Sequence, residues 1–327
     1  MRRLVPVVGL LLVAGLFAGC ASDVPESEPT RPADALTWTT EVDEEIDGLP
    51  IAVGSQSRPV DLLLGWIATE TLVAAGADVT DDLNLGDTQT TRDAQLAGLI
   101  DLYWETTGTG WLALLREIGP SADPEQLYED VRDEDLEENG IVWLPPAPAD
   151  TGVGIVASPA VIEDRGIVDL SALAAALEDP DEGLVVCVSA VDQPLDSSGL
   201  SALADAADVR IRPRLVNPVA PSEIIELTEE GTFCPFALVD RLDVRLADAD
   251  LAFLNDDLGA FVAEQPSVTI REDTYDMASG LDDLFAPVAA ALDIDTLRDL
   301  VARIIEDDED PRTVAREWLV EEDLAED

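Results

Sequence analysis

The 327-residue chain contains no histidine and no lysine, and its 18 basic residues are all arginine. Each absence removes chemistry. Without histidine there is no Ser-His-Asp triad, no His-paired cysteine nucleophile and no HExxH zinc site. Without lysine there is no Walker A lysine, no Schiff base and no SxxK nucleophile. Positive charge is scarce altogether: 70 Asp and Glu outnumber those arginines, and the formal net charge is −52. Such a field repels a phosphate backbone, which argues against nucleic acid as a partner. No EF-hand loop pattern directs the acidity to calcium. The carboxylates are spread along the chain, as on a solvated surface adapted to high salt, where a short Debye length limits self-repulsion. A surface that attracts cationic partners is the other reading. What is plentiful is apolar: hydrophobic residues make up 47% of the chain, enough to bury the core of one large domain or two medium lobes.

Long apolar runs are also missing, apart from one. Arg2 and Arg3 precede an apolar stretch from Leu4 to Phe17, which has the length of a signal-peptide h-region and is short for a membrane span. It ends in Ala18-Gly19-Cys20, which looks like a bacterial lipobox, with Phe17 where Leu is usual. Residues 1–20 therefore read as a lipoprotein signal peptide, with Cys20 as the lipidated residue holding the protein to the outer face of the cell membrane. Residues 21–48 are rich in Asp, Glu, Pro, Ser and Thr and read as an acidic flexible tether, in which Trp38 has no evident role. Two further cysteines remain, Cys187 and Cys234. In an exported chain a pair is most simply a disulfide, two buried free thiols being the alternative.

After the tether, strand and helix patterns alternate. Ile51 to Gly54, Val79 to Leu85 and Leu99 to Tyr103 read as strands; Val60 to Ala75, Thr88 to Ala97 and Thr109 to Glu117 read as helices. A Pro-rich joint, Trp143 to Pro148, interrupts the series. Strands at Gly154 to Ala157 and Leu184 to Val188 then alternate with helices at Leu170 to Leu177 and Leu200 to Ala207. This is the signature of α/β lobes with mostly parallel sheets. Three helices close the chain without a strand (Leu281 to Leu292, Ile294 to Ile305, Pro311 to Leu319) and are expected to pack back on the first lobe. The expected division is lobe I over 49–149 and 268–327, and lobe II over 150–267.

Three stretches in order carry a resemblance. They are Val53-Gly54-Ser55-Gln56 with Gly65, Glu70 and Gly76; Asn84-Leu85-Gly86 followed by Leu96 to Thr109; and Gly140 to Pro148. Leu254 to Asp257 and Glu309 to Leu319 add a looser match. Together they resemble the osmoprotectant-binding proteins of ABC importers, which take glycine betaine, choline, carnitine or proline betaine. The resemblance covers nearly all of the chain after the tether. It implies the type II periplasmic-binding fold: two α/β lobes, two crossovers and a ligand cleft between them. It also implies a monomer that hands a small hydrophilic solute to an ABC permease, with no cofactor and no enzymatic activity.

Loops at the carboxyl ends of parallel strands form the crevice of such folds. Ser55, Gln56 and the Glu105 to Thr109 loop sit there. Thr107, Gly108 and Thr109 precede a helix, so that their hydroxyls and N–H groups either hold a ligand carboxylate or simply cap the helix. The resemblance implies an aromatic cage for a trimethylammonium group, and here the sequence departs. Thr106 stands in place of a Tyr, Asp61 in place of a Gln, and later cage positions fall near Asp240 and Glu264. Trp104 and Trp111 either rebuild part of a cage or pack in the core. Carboxylates near the cleft favour a cationic or amine-bearing solute and weak binding of glycine betaine. A sensor or orphan binding module without transport is the alternative. A hydrolase would need a bare carboxylate pair such as Asp61 with Glu105, which an acidic chain supplies by chance.

Overall fold

The computed structural model of the protein describes residues 35–179, 184–191, 199–278 and 280–327. The signal segment, Cys20 and the first part of the tether lie outside them. In chain order the first lobe contributes β1 (Thr37–Trp38), β2 (Pro50–Gly54), α1 (Pro59–Ala74), β3 (Asp78–Asp82), α2 (Thr88–Leu96), β4 (Leu102–Thr106), α3 (Thr107–Thr109), α4 (Pro124–Asn139) and β5 (Ile141–Trp143). The second contributes β6 (Val153–Ala157), α5 (Pro159–Arg165), α6 (Leu170–Glu178), β7 (Val186–Ser189), α7 (Leu200–Ala206), β8 (Val216–Val219), α8 (Ile224–Glu230), β9 (Phe236–Asp240) and β10 (Ala252–Phe253). The chain then returns to the first lobe as β11 (Pro266–Arg271), α9 (Glu272–Tyr275), α10 (Leu281–Ala291), α11 (Ile294–Ile305), α12 (Pro311–Glu321) and β12 (Ala325–Glu326).

Two five-stranded sheets result, in the orders β3-β2-β4-β11-β5 and β10-β6-β9-β7-β8. The expectation of mostly parallel sheets holds only in part. β2 runs parallel to β3 and β4, but β11 is antiparallel to both β4 and β5. In the second sheet β7 is parallel to β8 and β9, while β6 is antiparallel to β9 and β10. The reversed strands adjoin the crossovers: β6 is where the chain enters the second lobe, and β11 is where it re-enters the first. A strand arriving from the opposite lobe runs against strands that were laid down by βαβ connections.

Each sheet has its own core. In the first lobe α1 is buried along most of its length, and α10, α11 and α12 pack with it through Phe285, Val301, Trp318 and Leu319. The three closing helices thus do return to the first lobe. β12 follows them and pairs antiparallel with β1, a strand that the sequence pattern did not announce. That pairing corrects the tether: from residue 35 onward the segment is folded, not free. Leu36, Trp38 and Ile46 are buried in the core, three apolar anchors hidden in an acidic composition, and Trp38 gains its role there. The second lobe packs around Phe236, Leu173 and Leu203, with a separate cluster around the disulfide between Cys187 and Cys234.

The helix expected from Thr109 to Glu117 is different. It begins earlier, as α3, and continues as a single π-turn over Gly110–Leu114. Gly110 lies so close to Trp143 that a Cβ would come within 2.5 Å of the indole. The backbone is pressed onto β5 at this point.

Candidate functional site

The loop after β2 begins at Gly54, where a side chain would meet Ile100 at 2.3 Å. Ser55 and Gln56 follow, both buried. The Ser55 hydroxyl accepts from the Asn84 N–H at 2.9 Å, so it clamps one loop to the next. Gln56 reaches across to the end of β4: its amide donates to Glu105 at 3.2 and 3.4 Å, and its carbonyl accepts from the Thr88 hydroxyl. α1 starts at Pro59, which lacks the N–H that a first helical residue cannot use. Asp61, two residues on, accepts from the Arg58 backbone N–H and pairs with the Arg58 guanidinium through two bonds of 2.9 Å. That bidentate fork fixes the helix entrance.

Glu105 is 3% exposed. Its carboxylate accepts from Gln56, from the Tyr103 hydroxyl at 3.1 Å and from the Thr106 N–H at 2.9 Å. Burial raises its pKa to about 7, outweighing those donors, and the negative charges of Glu264 and Asp61 push the same way. Burial also drives the Tyr103 hydroxyl upward, with Glu105 as its next cause. Crowding opposes the charge on Arg58, but Asp61, Asp240 and Glu105 together keep its pKa above the ordinary value.

These groups line one small pocket. Gln56, Asp61, Trp104, Glu105 and Thr106, all expected from the sequence, meet there. Arg58 and Thr151 join them, and Val60, Leu64 and Pro266 supply an apolar wall. The void is about 10 Å³, near the lower limit for one water molecule. Arg58 carried only a partial signal: Pro59 marks a helix start and Asp61 at the third helical position can accept the Arg58 N–H, but arginine is not one of the usual capping residues. Thr151 carried no such signal, because it arrives on a crossover.

The other expected residues lie elsewhere. Ser55 is engaged in the loop clamp. Thr107 is fully buried; its hydroxyl donates to the Ala263 carbonyl and accepts from the Gln265 N–H. The Thr109 N–H and hydroxyl both donate to the Glu264 carboxylate, at 2.9 and 3.2 Å, and Thr106 donates to the same oxygen. Gly108 leaves room for that carboxylate, since a Cβ would sit 2.8 Å from it. Asp240 ends β9 on the second lobe and accepts from the Leu242 N–H, with its charge felt at Arg58. Trp104 packs edge-on against Phe285 in the core while also touching the pocket. Trp111 packs against Val131, Ile141 and Trp143, away from it.

Beside the pocket the two crossovers run together. Ala147 donates to the Pro266 carbonyl, and the Thr151 N–H and hydroxyl both donate to the Glu264 carbonyl. Asp150 accepts from the N–H groups of Glu264 and Gly152 and faces Arg241 at 3.3 Å. Among the described residues no cluster could hold a metal ion, and no helix is long and apolar enough to cross a membrane.

Comparison with known proteins gives a consistent set of relatives. Residues 50–321 match the family described as the substrate binding domain of ABC-type glycine betaine transport system. The glycine betaine-binding protein YehZ of Escherichia coli is 27% identical over 276 residues, covering 83% of this chain and 90% of that protein. A glycine-betaine-binding protein of Pseudomonas aeruginosa is 26% identical over 292 residues, covering 85% and 89%. Among solved structures, apo YehZ from Escherichia coli superposes with a TM-score of 0.68 at 26% identity, covering 83% of this chain and 98% of that one. A glycine betaine/carnitine/choline ABC transporter structure gives 0.71 at 14% identity, over 84% and 99%, a likeness of fold.

Proposed function

We propose, since the chain belongs to the family of substrate-binding domains of ABC-type glycine betaine transport systems, that it is an extracytoplasmic receptor which closes on a small hydrophilic solute and delivers it to a membrane permease. The family is one of solute-binding proteins, not enzymes. The observation that carries the reading is the convergence of Gln56, Asp61, Glu105 and Thr106 from lobe I with Thr151 from a crossover, in one polar pocket beside paired crossovers. Short linked crossovers between two separately cored lobes are a hinge, and the pocket is small enough to need opening before a solute can enter.

The ligand in this reading departs from the family's usual one. Trp104 is the aromatic residue in the pocket wall, and carboxylates are its main charged groups. A cationic solute suits that wall better than a zwitterion. The lipobox-like Cys20 would anchor the receptor at the outer face of the cell membrane. Replacing Cys20 with Ala is expected to release the protein from the membrane fraction into the medium. The alternative, a sensor or orphan module, draws on the departure from the aromatic cage; neighbouring genes for a permease and an ATPase would favour transport over it.

A thermal-shift panel of betaines, amino acids, polyamines and other compatible solutes tests the reading. At least one cationic solute should raise the melting temperature in a concentration-dependent way. No shift across the whole panel would sink it.

A further inference from the structure

We infer that Glu264 is a resident carboxylate which fills the seat a ligand carboxylate would use, so that the cargo of this receptor is an organic cation without a carboxylate. The inference rests on the receptor reading above and specifies the substrate class of the same site.

Three donors converge on one oxygen of Glu264: the Thr106 hydroxyl, the Thr109 N–H at 2.9 Å and the Thr109 hydroxyl at 3.2 Å. A pair of hydroxyls with an adjacent N–H, here from the end of β4 and from α3, is good carboxylate-binding chemistry. Here the chain itself supplies the anion. The Glu264 backbone is pinned as well, its N–H donating to Asp150 and its carbonyl accepting twice from Thr151. Gly108 has no Cβ where the carboxylate lies down. Backbone and side chain are therefore both held, and the seat is a built feature of the crossover.

Thr106 is common to the seat and to the pocket wall, so the two are contiguous. A solute bearing its own carboxylate would have to displace Glu264 from its donors or sit beside it unpaired. It would also face Glu105 and Asp61. The one guanidinium in the wall, that of Arg58, already spends its fork on Asp61. A positive centre meets the reverse situation. Ionised Glu105 attracts it, Asp61 being matched by Arg58, while Val60, Leu64 and Pro266 accept its alkyl groups.

Choline and glycine betaine make the test, because they share a trimethylammonium head and differ in a hydroxyl against a carboxylate. Each is titrated calorimetrically into the wild-type protein and into Glu264→Ala at pH 8. The wild type is expected to bind choline at least about tenfold more tightly than betaine. Glu264→Ala should narrow that ratio several-fold or invert it, as the vacated donors receive betaine. Betaine binding to the wild type as tightly as choline overturns the inference and leaves the receptor reading standing. So does an unchanged ratio in a Glu264→Ala protein that melts like the wild type. If that variant does not fold, the wild-type ratio decides. Failure of every cation in the solute panel would remove the receptor reading, and this inference with it.

Discussion

Glu105 holds its proton into a range where most carboxyls have lost theirs, because burial at the end of β4 costs its charged form more than three donors return. A bound cation would tip that balance by favouring the ionised state. Binding of a cationic solute such as choline should therefore strengthen as pH rises through about 7, with release of a proton near that pH. Since only the ionised form attracts the ligand, affinity at pH 6 should be about tenfold weaker than at pH 8. Calorimetry across that range, repeated with Glu105→Gln, is the check; the variant should bind weakly and lose the pH dependence. An affinity that does not move with pH in the wild type would remove Glu105 from the ligand's surroundings. At this scale the sequence was partly legible. Asp61, Glu105 and Thr106 could be placed at strand and helix ends by pattern alone. The fate of the Thr109 donors could not, because their acceptor lies 155 residues away.

Among the elements, α1 is the one most others depend on. It packs against β2, β4, α11 and α12, and in its interior stands Glu70, which is completely inaccessible to solvent. Arg312 at 2.6 Å and Arg316 at 2.8 Å, both on α12, neutralise it. Removing both arginines strands a buried carboxylate. The double variant Arg312→Ala, Arg316→Ala should lose about 3–5 kcal/mol in urea unfolding, the order expected for breaking a buried ion pair from one side. Adding Glu70→Gln to it should restore part of the loss, by removing the orphaned charge. A double variant within about 1 kcal/mol of the wild type would show that water reaches Glu70. The three closing helices and their return to the first lobe were legible from apolar periodicity. The strands β1 and β12 were not, because two residues carry no period and their pairing spans almost the entire described chain.

The molecule as a whole has a formal net charge of −52. At 0.1 M salt its charges act on one another over a Debye length of about 10 Å, and at 1 M over about 3 Å. Folding gathers them onto one surface, so repulsion opposes the compact state most strongly in dilute buffer. The melting temperature should rise by several degrees between 0.1 and 2 M NaCl, with KCl acting alike. A melting temperature indifferent to salt would count against a halophilic surface. The same field bears on binding, since it draws cations toward the cleft and repels anions from it, in the same sense as the local charges around Glu105. High salt should slow the association of a cationic solute while leaving its dissociation nearly unchanged.

The amino-acid order by itself determined what this protein could not do, through its missing histidine and lysine, and it set the alternation of elements that builds two α/β lobes. Those properties are local: a side chain's chemistry and a run's periodicity need no distant partner. The tertiary structure alone decided that the acidic segment from residue 35 is folded, that half of the strand pairings within the two five-stranded sheets are antiparallel, and that Glu264 sits in the donors of Thr106 and Thr109. Each of those depends on where the chain returns after leaving a lobe. A crossover brings together residues more than a hundred positions apart, and no pattern within a short window carries the register at which they meet.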